Sequence, residues 1–480
     1  MRINIDAFWE RYYDKKKNKL VDNWQEGIRL LPFSSNPSSA VDRGAGIEGP
    51  TGLFFRIRGN EAISAIENPQ DAIHVVEDYL LNKIHLDGTQ AQRFIDIMKD
   101  ILFINGTLNV TDTSFLKYLP IVPTDECIPV KTRKKYKAGQ TKLANLLCSF
   151  CNDDIDFSDQ DSKNLFTKVL KEALGNSGSG LGDGIKASEE YYTLPYIKEA
   201  FNEDLKWLIS LDSNITIRHI HLFLHFYVCY ELLQCVAKLK CEKRNTNETE
   251  LFYFILQSEK ASISHDGVRC WKEKMPKKLL DKIFGHSQAL DIINSVLGGS
   301  SELGGNQVGL YQEVMALLEE SPFEDNKEDC EKLLSIYQEE KRKVFSNRAS
   351  ESGSIGEIDT KVDSYDDFIR KLEQLCVGLQ SPSYISRMRK KFIDVLSMRF
   401  LQLRRGNYIL TLDNEMLCFL IAMATKCERV KLEDMYKSFK QYGIVFNLGT
   451  RNAIEAYLLK LNLLDRKSDS GEAQYVQVVL

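Results

Sequence analysis

Leu432-Glu433-Asp434-Met435-Tyr436-Lys437-Ser438-Phe439 is the stretch whose reading decides the fold class. Leu432, Met435, Tyr436 and Phe439 fall at i, i+3, i+4 and i+7, one apolar stripe of an amphipathic helix. Gly443 stands where a helix end calls for a left-handed residue. Ile444-Val445-Phe446 is a short β-forming run, and Thr450 is placed to cap the next helix. There Ile454, Tyr457, Leu458 and Leu461 repeat the spacing. Upstream, 413–424 is an apolar helix able to roof the pair. Downstream, Ser468-Asp469-Ser470-Gly471 separates two strand-like runs, so the tail reads as a hairpin. Three helices and a terminal hairpin are the order of a winged helix.

The rest of the chain is expected to be mainly α, a multi-domain helical protein with few short strands. At 480 residues it exceeds one typical core. Gly175 to Gly184 is a Gly/Ser-rich break, and 345–363 is a polar stretch with several serines and glycines. These divide the chain into a helical N-terminal domain (1–174), a central helical domain (185–345) and a C-terminal unit (363–480). Ser34 to Gly52 reads as an irregular loop whose glycines give flexibility, and Leu53 to Arg58 as a short strand. Residues 190–296 read as mostly helix.

A hydrophobic content of 43% and a net charge of −5 are those of an ordinary globular chain, so nucleic-acid contact must come from local patches. No secretory signal is visible in the lysine-rich start, and the cysteines make no disulfide pattern, so the reading is cytoplasmic. Residues 220–239 are apolar but carry His221, His225, Glu231 and Lys238, which suits a buried helix better than a membrane span.

Two basic runs stand out. Lys131, Arg133, Lys134, Lys135, Lys137 and Lys142 occur with no acid among them, either as a solvated helix edge or as a phosphate-binding strip. From Ile385 to Arg405 seven basic residues face one acid, Asp394, while Phe392, Val395, Leu396 and Phe400 form an apolar face. The charge of this second run is expected to project outward. Cys148-Ser149-Phe150-Cys151 lacks a second ligand pair and reads as two core thiols. His219, His221 and His225 share helical spacing but no HExxH, so a metal-dependent nuclease is a minor alternative. There is no GxxxxGK[ST] and no GxSxG. The chain is therefore read as non-enzymatic, with no catalytic residue, no metal and no cofactor.

Leu410 to Leu417, and especially Lys467-Ser468-Asp469-Ser470-Gly471-Glu472-Ala473-Gln474-Tyr475-Val476, resemble the C-terminus of the DptG family of DNA phosphorothioation-dependent restriction proteins. The likeness covers roughly the last seventy residues. It implies a non-catalytic subunit in bacterial antiviral defence. Such a subunit would bridge ATPase or helicase-like partners of the same system and possibly contact DNA. If the helix after Thr450 enters a major groove, Arg451, Asn452 and Lys460 are the contacts, with Arg466 and Lys467 on phosphates from the wing. Arg387, Lys390 and Lys391 would add backbone contacts. The competing reading is a stand-alone DNA-binding regulator with an N-terminal sensor domain.

Overall fold

Helices carry most of the chain, as the apolar periodicity predicts, and the strands are few and short. The computed structural model describes residues 2–21, 28–36, 46–59, 69–83, 85, 87–104, 107–108, 113–119, 121, 129–152, 155, 168–169, 172–174, 187–240, 247–260, 265–297, 309–346, 357–466 and 474–477. The Gly/Ser break at 175–184 and most of the polar stretch at 345–363 lie outside them.

The first half runs α1 (Ile5–Tyr12), β1 (Tyr13–Asp14), β2 (Lys19–Leu20), β3 (Ile28–Arg29), α2 (Glu48–Arg58), α3 (Pro69–Lys83), α4 (Gly88–Leu102), β4 (Phe103–Ile104) and β5 (Thr107–Leu108). A 3-10 turn (Thr113–Tyr118), α5 (Val130–Phe150), β6 (Glu190–Tyr191), α6 (Pro195–Ser210) and α7 (Ser213–Ala237) follow. Then come β7 (Phe252–Leu256), α8 (Asp266–Lys274), α9 (Lys277–Leu297), α10 (Tyr311–Leu318), α11 (Phe323–Ser346), α12 (Tyr365–Gly378) and α13 (Pro382–Leu396). The C-terminal part is β8 (Leu401–Arg404), β9 (Asn407–Leu412), α14 (Asn414–Thr425), β10 (Val430–Lys431), α15 (Leu432–Gln441), β11 (Ile444–Val445), α16 (Leu448–Lys460), β12 (Leu464–Arg466) and β13 (Gln474–Val476).

Helix α7 is apolar around its whole circumference and sits in the interior. It is long and apolar enough to cross a membrane, yet 94% of its apolar window is buried in protein. A helix without a polar face has no side to give to water. The apolar cluster around it takes in residues from Ile3 to Val476.

Helix α2 overturns two expectations. Leu53 to Arg58 is helix, not strand: it continues one helical run from Glu48 in which every residue from Gly49 to Arg56 is buried, so the segment is enclosed on all sides. Arg56 donates to the carbonyls of Lys117 and Leu119, which satisfies a guanidinium that burial has lowered to about 10. Gly49 is not loose: a Cβ there would stand 2.3 Å from the Ile121 carbonyl oxygen, so only glycine lets the two backbones approach.

Residues 252–256 were read as part of a helical region, but Phe-Tyr-Phe-Ile-Leu is strand β7 at the heart of a sheet ordered β11-β7-β9-β8. It pairs in parallel with β9 (Phe254 with Leu410) and with β11 (Ile444 with Phe252). Strands β8 and β9 form a hairpin across Arg405 and Gly406, at φ 48° and 76°, a two-residue turn that needs left-handed backbone. Gly443 has φ 73°, and a Cβ on it would meet the Glu250 carbonyl oxygen at 2.8 Å, so both backbone shape and space require glycine there.

After α14 the chain makes a second sheet, ordered β10-β13-β12 and antiparallel throughout. Leu464 faces Val476 and Arg466 faces Gln474 across the tail pair. The buried residues Leu432, Met435, Tyr436 and Phe439 of α15 are the four its period picks out.

Candidate functional site

Helix α16 is anchored at its start. Its N-cap is Asn447, whose Oδ1 accepts from the Thr450 N–H at 2.9 Å; Thr450 is therefore not the cap that the sequence suggests. The Asn447 amide reaches the Asp266 carboxylate at 3.1 Å, next to the start of α8. That bond, and Arg269, hold the Asp266 carboxyl below its ordinary range. Thr450 is fully buried and its hydroxyl donates to Glu259 at 2.9 Å. His265 caps α8, with Nδ1 accepting from the Gly267 N–H at 3.1 Å, so its proton is on Nε2, 3.6 Å from Glu259. Hydroxyl, carboxylate and imidazole thus meet, but the hydroxyl is closed to solvent and points at the carboxylate, not at the imidazole. The trio is a joint between 256–266 and α16, without the order of a nucleophilic triad.

The buried side of α16 is Thr450, Ile454 and Leu458. Its outward side presents Leu448, Asn452, Ala456 and Leu459, one row at helical spacing. Leu448 is 74% exposed and Leu459 37% exposed, and the exposed Lys460 follows Ala456 at i+4 at the end of the row. Sequence reasoning missed the two leucines, because only the side that packs inward had been identified by its period.

The predicted contacts around this row are differently placed. The Arg451 guanidinium lies 4.5 Å from the centre of the Tyr436 ring and 3.8 Å from Glu433, held at the flank. Asn452 and Lys460 are exposed. Arg466 ends strand β12, and Lys467 lies outside the described residues. Near that strand pair, Arg429 stacks on Tyr475 at 4.4 Å and meets Asp465 at 3.3 Å.

Helix α13 corrects the expectation that its charge projects outward. Lys391 is buried, with Nζ donating to the carbonyls of Ser34 (2.7 Å) and Asn36 (2.6 Å). Burial, helped by Lys142 and Arg387 nearby, lowers its pKa to about 8. Arg387 reaches the Ser35 carbonyl at 3.3 Å and covers Tyr384. Arg389 pairs with Asp281, and the exposed Lys390 with Asp394. Beyond the helix, Arg399 pairs with Asp413 at 2.9 Å, while Arg404 donates to the carbonyls of Gln257 and Glu259.

The histidine cluster is interior. His221 contacts the Thr51 hydroxyl at 3.1 Å, and His219 faces the Ile215 carbonyl at 2.8 Å. Burial lowers His221 to about 4 and His225 to about 3, so both rings are neutral. Among the described residues no group of three or more His, Cys, Asp or Glu side chains is placed to hold a metal ion. Cys148 and Cys151 are buried free thiols, and burial pushes the Cys148 pKa up.

Compared with known proteins, the chain matches no family model and no curated protein.

Proposed function

We propose that this protein is a non-catalytic docking subunit of a bacterial phosphorothioation-dependent DNA restriction complex, and that 414–476 act as a winged helix binding an ATPase or helicase-like partner through α16. The observation that carries the docking role is the solvent-facing row Leu448, Asn452, Ala456 and Leu459. Exposed leucines in register on one helix suit a protein groove, where each gains by leaving water. A DNA-reading helix would set several cations and amides there, whereas this row has the single amide Asn452 and only Lys460 at its end. The element order supports the module: helix, strand, helix, then helix α16, then two strands, with β10, β13 and β12 in one antiparallel sheet. The strand β11 is an addition, given over to β7. The restriction setting rests on the likeness of the tail from Lys467 to Val476. In this reading Asn452 and Lys460 form a polar rim that can touch DNA held by the partner, and Arg451 braces the flank.

The test is co-expression of the full chain with ATPase and helicase-like proteins of a phosphorothioation-dependent restriction system, followed by affinity capture. Wild type is expected to retain a motor partner, and the L448D/L459D variant to lose it by at least ~10-fold, the scale of losing two central apolar anchors. Truncation is a poor substitute, because β7 lies between β9 and β11 and would be stripped of both neighbours. Capture that is unchanged in the variant, or a chain that forms a dimer on palindromic duplex without any partner, overturns the reading.

A further inference from the structure

The two basic runs, far apart in sequence, converge. Helix α5 carries Lys131, Arg133, Lys134, Lys135, Lys137 and Lys142 and no acidic residue over its whole length. Lys131, Lys135 and Lys142 are spaced i, i+4 and i+11, which places them within about 40° on one face along roughly 16 Å of axis. Lys131 is exposed and Lys135 half-buried, and among the described residues neither has an ion-pair partner. At the far end of the row, Lys142 and Arg29 share the Glu189 carboxylate, at 2.8 Å and 2.9 Å. Arg29 is in β3, which pairs in parallel with β6 immediately after Glu189. From β3 the chain continues to Ser34–Asn36, whose carbonyls hold Arg387 and Lys391 of α13. Lys142 and Arg387 both lie near enough to Lys391 to disfavour its charge. The junction therefore gathers cations from α5, β3 and α13, with Lys142 and Arg29 on one shared carboxylate.

We infer that Lys131, Lys135 and Lys142 of α5, with Arg29 beyond them, form a phosphate-binding strip that takes a nucleic-acid backbone. The inference goes beyond the docking role, since it uses another surface and another ligand. A straight row of lysines suits a polyanion: each phosphate neutralised releases condensed counterions, and no base needs to be read.

The test uses the full chain and a fluorescently labelled DNA duplex, with affinity followed by anisotropy across a salt series. Wild type binds at ~50 mM salt, and log K falls with log salt at a slope of about −2 to −4, as two to four phosphate contacts require. The K131E/K135E variant changes two residues that have no ion-pair partner among the described residues. It is expected to weaken binding at least ~10-fold and to reduce the slope by about two. R387Q, which changes a guanidinium already held by the Ser35 carbonyl, is expected to leave the slope unchanged. L448D/L459D leaves DNA binding as in wild type, which separates this inference from the docking role. No binding at low salt overturns it. So does K131E/K135E that binds with unchanged slope, or attachment to anionic lipid vesicles but not to duplex.

Discussion

Helices α5 and α13 are both strongly basic in sequence, and the fold uses them in opposite ways. On α13, Lys391 and Arg387 are turned onto the carbonyls of Ser34, Ser35 and Asn36, and Arg389 and Lys390 are matched by Asp281 and Asp394. On α5, Lys131 and Lys135 meet no carboxylate among the described residues. The contrast teaches that a run of basic residues is available to a ligand only where the backbone around it has not already claimed the donors. Several of the most buried cations in this protein are held by carbonyls: Arg56 by Lys117 and Leu119, and Lys238 by Glu248. A carbonyl satisfies an N–H donor without a second charge having to be desolvated, which makes it a cheaper interior partner than a carboxylate.

That contrast can be broken by substitution. Lys391→Met leaves the Ser34 and Asn36 carbonyls without their donor, and we expect a loss of roughly 2–3 kcal/mol in denaturant unfolding, while Lys131→Met stays within about 0.5 kcal/mol. Equal effects would erase the distinction between the two helices. The next effect concerns Asp291, which lies near Arg29 at the same junction. Its Oδ1 has no hydrogen-bond partner among the described residues, and burial raises its pKa to about 7, against the pull of Arg29. The folded chain thus keeps a proton that the unfolded chain releases near 3.8, so this group removes stability as pH climbs from about 4 to 7. Melting temperatures taken across that range should fall less in Asp291→Asn than in wild type, by the equivalent of about 2 kcal/mol at pH 7. Parallel profiles would mean that Asp291 is solvated. The smallest effect is expected for Arg389→Ala, since its pair with Asp281 is about a third exposed on both sides. Such a pair contributes about 0–1 kcal/mol, less at high salt. A loss above about 2 kcal/mol would place this pair with Lys391 as a structural cation.

Much of the C-terminal part was legible from residue spacing. The stripe of α15, the left-handed Gly443 and the apolar helix α14 all follow from local rules, and the structure has each of them. Strand β7 was missed although Phe252 to Leu256 is a dense β-forming run, because its two partners arrive from residues 407–412 and 444–445. Helix α2 was mistaken for a strand since Phe54 and Phe55 in succession look like one. Only the approach of Gly49 to Ile121 shows why helix fits. Thr450 was taken for a cap on residue type alone, but Asn447 stands three residues earlier with the right geometry. The outward leucines of α16 carried a readable signal, a second apolar row opposite the first.

By itself the sequence determined that the chain is mainly helical and which side of α15 turns inward, because a period of 3.6 residues acts within a few residues of chain. Only the tertiary structure decided which charges are exposed and which are structural. That outcome depends on carbonyls and carboxylates brought from hundreds of residues away, as Ser34 is to Lys391, and no local pattern encodes their arrival.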